Sequence, residues 1–308
     1  MNSHRLRAYI YLILTAAIWG AAGPIIKYTL DGIDPLPFLS YRFAIASIFS
    51  IIFFGIKIGK GKKFRQLRAH FPLALLYGIL AVPVGLGILF FGLDNSTVLD
   101  LTLIGVVGPL LITAGGAAFF HDHITKKEKL GIMIVILGVA LNSFVPLFRS
   151  AGKLALTGNF LLVIFLLADS SSTLMAKRLV QDKIKSANLT NLAFIIGALV
   201  FIPITFLGYG FGNFINTIAT LPLKYHLGVW YMALISGNLA YFLYIRAQRS
   251  IEVSEAVLFH YLQPLFMVPL AVFWLRESIT ASFLVGGAII AVGLFIAEIK
   301  KKRYNINP

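Results

Sequence analysis

The sequence predicts an all-α polytopic membrane protein: ten transmembrane helices forming two inverted five-helix repeats, with the N and C termini both cytoplasmic. Three observations predict it: an apolar composition, ten long apolar runs, and basic residues gathered on one side of those runs. Of the 308 residues, 58% are hydrophobic and only 13% are charged, and the mean hydropathy is +0.87. A soluble domain carries about twice that share of charge. A helix that crosses the hydrocarbon needs about 20 apolar residues, so ten crossings use roughly 200 and leave about ten for each connection. No sizeable domain outside the bilayer fits in what remains.

Taken in order, runs bounded by charge, Gly or Pro place five helices over 8–29, 36–56, 71–93, 98–120 and 130–148. Five more follow over 157–177, 188–208, 225–245, 254–275 and 282–299. The connections between them alternate in charge. One side takes 21 of the 27 Lys and Arg, among them Arg5 and Arg7, the six from Lys57 to Arg68, Lys126, Lys127 and Lys129, and the tail from Lys300 to Arg303. The other holds Lys27, Arg42, Arg149, Lys153, Lys224 and Arg276. Basic loops stay on the cytoplasmic side, so both ends are expected there, which requires an even number of spans. The first run, with Arg5 and Arg7 ahead of it and Gly20 to Gly23 behind, could alternatively be a signal peptide. That reading leaves nine spans and breaks the symmetry described next.

The formal charge of +15 would suggest nucleic acid in a soluble chain. Here the basic residues serve as topology signals, and no nucleic-acid partner is expected. With no Cys, disulfides, thiolate metal sites and a thiol nucleophile are excluded.

Sliding the chain against itself by 155 residues lays 98–141 over 253–296 without a gap. Pro109 falls on Pro264, Ile124 and Thr125 on Ile279 and Thr280, Gly131 on Gly286, and Gly138 on Gly293. Asp100 falls on Glu255 and Asp122 on Glu277. A helix-interior Pro frees a carbonyl and kinks the helix, and Gly at two-turn spacing clears a face for close packing. Five spans per half is an odd number, so the second half enters the membrane inverted. Residues 1–150 form the first repeat, and 151–308 form the second with a short basic tail. Secondary transporters share this architecture, with a midplane site at the repeat interface. A duplicated scaffold without transport is the other reading of the repeat.

The residues also carry a family resemblance. The opening "AAIWGAAGPIIKYTL" with "PLPFLSYRFAIAS", the close "VGPLLITAGGAAFFHDHITKKEKLGIMIVILGVAL", and the second close "LQPLFMVPLAVFWLRESITASFLVGGAIIAVGLFI" resemble two EamA-type domains. The resemblance covers nearly the whole chain and implies a member of the drug/metabolite transporter superfamily. It implies a central cavity lined by the first, third and fourth helices of each half, with the fifth and tenth helices structural. It further implies efflux of amino acids, metabolites or drugs across an inner (plasma) membrane. Two departures stand out: His121-Asp122 where the family commonly has Gly-Glu, and Asp169 where the first repeat has Trp19.

Ionisable and polar residues within the spans are the candidate substrate-binding residues. Asp169 lies near mid-membrane in the sixth span, where an ionised carboxylate needs water or a partner. It is read as a substrate or proton-coupling site, or as a fixed interhelical hydrogen bond. Ser170, Ser171, Ser172 and Thr173 follow it and would give that helix a polar face. His260 and Gln263 share a face just before Pro264, and imidazole suits proton exchange near neutral pH. Asn238 and Tyr241 have the same spacing. Each of these also fits hydrogen-bonded packing. Trp19 is a cavity wall by the resemblance and an interface anchor otherwise. Pro109 and Pro264 are the expected hinges. Lys27 and Arg42 are expected to snorkel to headgroups or to pair with Asp31 or Asp34. The pairs Gly108 and Gly115, Gly131 and Gly138, and Gly286 and Gly293 are read as packing positions.

Enzyme readings fail on motif. The six His are scattered, with no HExxH. His121 and His123 on a turn point in divergent directions. "GIKIGKGKKF" lacks phosphate-loop spacing, and no GxSxG exists. The chain is therefore expected to be no enzyme and to need no cofactor or metal, with a small-molecule substrate and the lipid bilayer as its partners. A homodimer is left open. The expected function is a secondary transporter working by alternating access. A lipid or lipid-linked sugar flippase, and a non-transporting membrane receptor or enzyme, stand as alternatives.

Overall fold

Each apolar run folds as helix, because a helix satisfies its own backbone where no water can do so. The computed structural model describes residues 3–52, 70–120, 125–144, 152–182, 184–247 and 259–298, and among these there is no strand. The helices are α1 (Ser3–Leu30), α2 (Pro35–Ser50), α3 (Phe71–Asp94), α4 (Val98–Gly105, resuming as Gly108–Phe120) and α5 (Lys126–Phe144). They continue as α6 (Gly152–Gln181), α7 (Ser186–Tyr209), α8 (Phe211–Thr220), α9 (Leu223–Trp230, Tyr231–Leu239 and Ala240–Ala247 end to end), α10 (Phe259–Leu262, Gln263–Pro269 and Leu270–Trp274) and α11 (Ala281–Glu298).

Six stretches are long and apolar enough to cross a membrane: Arg5–Leu30, Phe71–Asp94, Val98–Gly116, Leu156–Gln181, Asn188–Tyr209 and Leu223–Tyr244. Shorter apolar helices cover Lys129–Leu141, Phe259–Trp274 and Ala281–Ile296. Large apolar side chains such as Leu207, Phe273 and Phe295 stand 88%, 82% and 71% exposed on the outer surface. Exposure on that scale is tolerable against lipid and not against water. The chain is a multi-pass membrane protein.

Packing between the two halves is reciprocal. The first helix of the first half, α1, packs on α9 and α10, while the first helix of the second half, α6, packs on α3 and α4. α2 packs on α7, where the Ser40 and Thr205 hydroxyls share a hydrogen bond. α5 packs on α11. The core between them holds Phe38, Phe43, Phe90, Leu93 and Ile104, all essentially sealed from solvent.

The paired glycines do what their spacing predicts. A Cβ on Gly138 would fall 2.8 Å from Ile290 and 3.0 Å from the Gly286 carbonyl oxygen. One on Gly293 would fall 2.7 Å from Val135 Cγ2 and 2.9 Å from the Gly131 carbonyl oxygen. Each glycine pair thus admits the backbone of the other helix.

Four features differ from the sequence reading or go beyond it. α8 was expected to be loop; its Phe214 is buried and packs edge-on to Phe206, while Phe211 and Ile215 are exposed. That is a one-sided helix too short to register as a span. Next, α3, α9 and α10 are not uniform, since π-helical turns occupy Leu80–Leu86, Tyr231–Leu239 and Leu270–Trp274. Third, α4 is interrupted at 106–107, just before Pro109. Finally, α10 changes from a 3-10 turn to α-helix at Gln263, with Pro264 in the first turn of the α segment. The basic run 57–68, the His121–Asp122–His123 turn, residues 253–258 and the tail 300–303 lie outside the described residues.

Replacing Gly293 with Ala should lower the thermal unfolding midpoint in detergent, because backbone as well as side chain stands in the way, and overpacking typically costs about 1–3 kcal/mol. Gly105→Ala, where a Cβ meets nothing within 4 Å, should leave the midpoint unchanged or raise it. Equal effects at the two positions would contradict the packing role.

Candidate functional site

The site is built around Trp19 on α1. A Cβ on the neighbouring Gly20 would fall 2.7 Å from the Gln263 carbonyl oxygen and 2.8 Å from Phe266 Cβ, so α1 and α10 cross backbone to backbone here. That crossing sets the Trp19 indole among rings from α9 and α10. Its centroid lies 5.2 Å from Tyr241, 5.3 Å from Tyr244 and 5.5 Å from His260, within the range of favourable aromatic pairing. The indole N–H donates to the Ser236 carbonyl at 3.1 Å, and the Tyr231 hydroxyl donates to the Ile18 carbonyl at 2.7 Å. The indole is thereby locked, with Tyr241 on one side and His260 on another. His260 Nε2 is buried and has no hydrogen-bond partner.

Asp169 stands just past the middle of the 30-residue α6. It interacts electrostatically with Tyr77 on α3 and Tyr241 on α9. Asp169, Tyr77 and Tyr241 are surrounded by protein, yet each keeps part of its surface accessible. The expected polar face behind Asp169 does not form, because successive residues on a helix are about 100° apart. Ser170 and Ser172 are buried and Ser171 is exposed, and the Ser172 hydroxyl donates back to the Asp169 carbonyl at 2.8 Å.

The remaining candidates divide. Gln263 lies at the α1 crossing, beside Trp19 and His260. Asn238 is buried in the π-helical turn of α9, its amide donating to the Ala233 carbonyl at 2.9 Å and its oxygen 3.5 Å from the Ser50 hydroxyl. Both ends of that amide are thus occupied, by its own helix and by α2. Pro109 and Pro264 sit where α4 and α10 restart after irregular turns. No group of three or more His, Asp and Glu that could hold a metal exists among the described residues.

Arg42 lies away from the membrane surface, and Lys27, at its helix end, takes partners that were not foreseen. Arg42, expected to snorkel, is 3% exposed in the core, with its guanidinium carbon 5.0 Å from the Phe43 ring and 5.5 Å from the Phe90 ring. It shares an electrostatic contact with Tyr241. α2 is wedged between α7 and α9, so the face carrying Arg42 has no path to headgroups. Lys27, expected to snorkel or to meet Asp31 or Asp34, donates to the Leu93 and Asp94 carbonyls at 2.8 and 3.0 Å, closing the C-terminal end of α3, and also interacts with Asp31. Tyr77, Tyr244 and Arg42 are the site-region residues the sequence reading missed. The available signal for Arg42 was its place seven residues into α2, about 10 Å from the helix start.

At the same end of the bundle, Glu277 receives two hydrogen bonds from the Val98 and Leu99 N–H groups, at 2.8 and 3.0 Å. A carboxylate at a helix N-terminus answers both the free donors and the dipole. The preceding Arg276 takes φ 60, a strained left-handed conformation for a non-glycine residue, and so turns Glu277 toward α4. Burial pushes the Glu277 carboxyl up from its ordinary 4.5, against the pull of the two N–H groups and of Lys27. An acid raised in the fold contributes stability that is complete below its ordinary value and is lost as pH rises through the raised value. The unfolding midpoint of the wild type should accordingly fall over that interval relative to Glu277→Gln, which cannot titrate. Parallel pH profiles for the two proteins would contradict this.

Comparison with known proteins agrees with this architecture. The chain matches the EamA-like transporter family twice, at residues 6–144 and 156–298. It is 26% identical to "Uncharacterized transporter YetK" of Bacillus subtilis (strain 168), over 99% of this chain and 90% of that protein. It is 25% identical to an "Uncharacterized transporter" of Archaeoglobus fulgidus, over 96% of this chain and 100% of that protein. A solved crystal structure superposes with a TM-score of 0.60 at 15% identity, covering 98% of this chain and 99% of that one, which speaks for the fold alone. With the family pattern running through both halves, the chain belongs to the EamA-like transporter family, within the drug/metabolite transporter superfamily.

Proposed function

We propose that this transporter is a secondary carrier of small organic solutes, working by alternating access and operating as an exporter. In this reading ten helices cross the inner membrane as two inverted repeats, 1–150 and 151–308, with both termini cytoplasmic. α8 is then a surface helix on the outer side. The observation that carries the proposal is the reciprocal exchange between halves, α1 onto α9 and α10 and α6 onto α3 and α4, with π-helical turns in both α3 and α9. Such a swap is what an axis in the membrane plane produces. π-helical turns are common at functional sites.

The substrate chamber lies at the interface of the halves. Trp19 and Tyr77 come from the first half, and Asp169, Tyr241, His260 and Gln263 from the second. Asn238 supports the chamber by holding the π-helical turn beneath Tyr241. Rocking of the halves about Pro109 and Pro264 would open the chamber to one side and then the other. On the outer side, Glu277 on the α4 N-terminus joins the second repeat to the first, and this bond must part when the chamber opens outward. Asp169 and His260 are the groups placed to carry a proton.

Purified protein in liposomes tests this reading. Flux of a labelled solute down its gradient is expected, without lipid scrambling. Scrambling without solute flux would overturn it in favour of a flippase. Asp169→Asn should remove the dependence of flux on an imposed pH gradient, and an unchanged dependence would exclude Asp169 as the proton carrier. Cysteines introduced near the two termini should be labelled from the same side of sealed vesicles. Labelling from opposite sides would overturn the inverted repeat.

A further inference from the structure

Arg42 is the one charged side chain among the buried described residues. Its Nε and Nη1 atoms have no hydrogen-bond partner, and its guanidinium carbon rests against the rings of Phe43 and Phe90. Among the described residues no carboxylate forms an ion pair with it. Asp169 interacts with Tyr241, and Tyr241 with Arg42. Asp94 and Glu277 lie at the end of the bundle with Lys27. From the second repeat, Phe194 and Phe201 of α7 pack on the neighbouring Phe43 ring, and Tyr241 of α9 interacts with Arg42 itself.

A bare guanidinium in a membrane interior is costly, and a cation–π contact recovers only a small part of what water would provide. Intramembrane charges persist where a partner or a pathway needs them. Here the described residues hold the cation and offer it no anion. The fork of N–H donors on a guanidinium matches the two oxygens of a carboxylate, a geometry an ammonium cannot reproduce.

We propose that Arg42 binds the carboxylate of the transported solute, so that the substrates are organic carboxylates. This rests on the transporter reading above and names the substrate class for the same chamber. The carboxylate lies against the Arg42 fork, and the remainder of the solute faces Tyr241, Tyr77 and the Trp19 indole. The solute itself supplies the missing countercharge. The tight seal around Arg42 then favours an anionic group over a neutral isostere, since only the anion relieves the buried charge.

The test uses the full chain and matched probes: benzoate against benzamide, phenylacetate against phenylacetamide, and L-leucine against L-leucinamide. Thermal stabilisation in detergent and counterflow in liposomes are measured for each. At least one carboxylate should stabilise the wild type and be carried, while its amide requires at least tenfold higher concentration. Arg42→Lys should raise the concentration of that carboxylate needed for half-maximal effect by tenfold or more. Arg42→Met should lose the response and, with no bare charge left to bury, unfold at a higher temperature than the unliganded wild type. Equal action of acid and amide, a preserved carboxylate response in Arg42→Met, or a carboxylate response in Arg42→Lys equal to the wild type would overturn the proposal. Flux of neutral or cationic solutes with no carboxylate carried would overturn it and leave the transporter reading standing. Absence of all solute flux would overturn both.

Discussion

Hydrocarbon offers no hydrogen bonds, and that single property governs this molecule at every scale. Backbone N–H and C=O groups must be paired within the chain, so the described residues are helical wherever the sequence is apolar. Where helix geometry falters, side chains complete the pairing. Thr102 and Thr113 return their hydroxyls to carbonyls one turn back, and Asn238 takes up the carbonyl of Ala233 within the π-helical turn. The same demand operates between halves of the chain. Lys27 closes the carbonyl end of α3 and Glu277 the amide end of α4. Two helix ends that meet at one rim are thus satisfied by side chains from elsewhere, and the second of these bonds ties residues 178 and 179 positions apart.

Against that background the buried groups whose pairing is incomplete stand out. His260 Nε2, the Ser170 hydroxyl, two nitrogens of Arg42 and the amide nitrogens of Asn159 and Asn191 are buried without hydrogen-bond partners; of these, His260 touches the Trp19 ring, Ser170 follows Asp169, and Arg42 interacts with Tyr241. A packed bundle with no function would lose little by replacing such groups with apolar ones of similar volume. The polar groups beside the locked Trp19 indole are the ones the proposed chamber would use.

Most of the helices could be read from the chain because a bilayer imposes a length and a composition, and both are visible as runs. The aromatic site was partly legible for a related reason. Trp19, Asp169, Tyr241 and His260 are conspicuous in apolar surroundings, and the structure draws them together. What escaped depended on which way a helix faces. Arg42 resembled a snorkelling residue because a long basic side chain in the outer half of a span usually reaches the interface, and the orientation of α2 between α7 and α9 cannot be seen in one run alone. Ser170 to Thr173 read as a stripe although consecutive residues must spiral around the axis. Tyr77 carried no charge or motif to mark it, and only the packing of α3 on α6 brings it to Asp169. α8 was missed because ten residues with Asn and Thr among them lack the length of a span, while burial of Phe214 is a tertiary fact. The π-helical turns have no sequence signature beyond Pro83 in the first and Pro269 just before the third.

The placing of the indoles also makes the chain its own spectroscopic reporter. There are three Trp in the whole sequence; Trp230 and Trp274 are 40% and 41% exposed, whereas Trp19 is wrapped by Tyr241, Tyr244 and His260. Emission from the first two is open to collisional quenchers dissolved in the bilayer. Emission from Trp19 is governed by its ring neighbours. The quencher-resistant fraction of native fluorescence therefore reads Trp19 and the rings around it with no extrinsic dye attached.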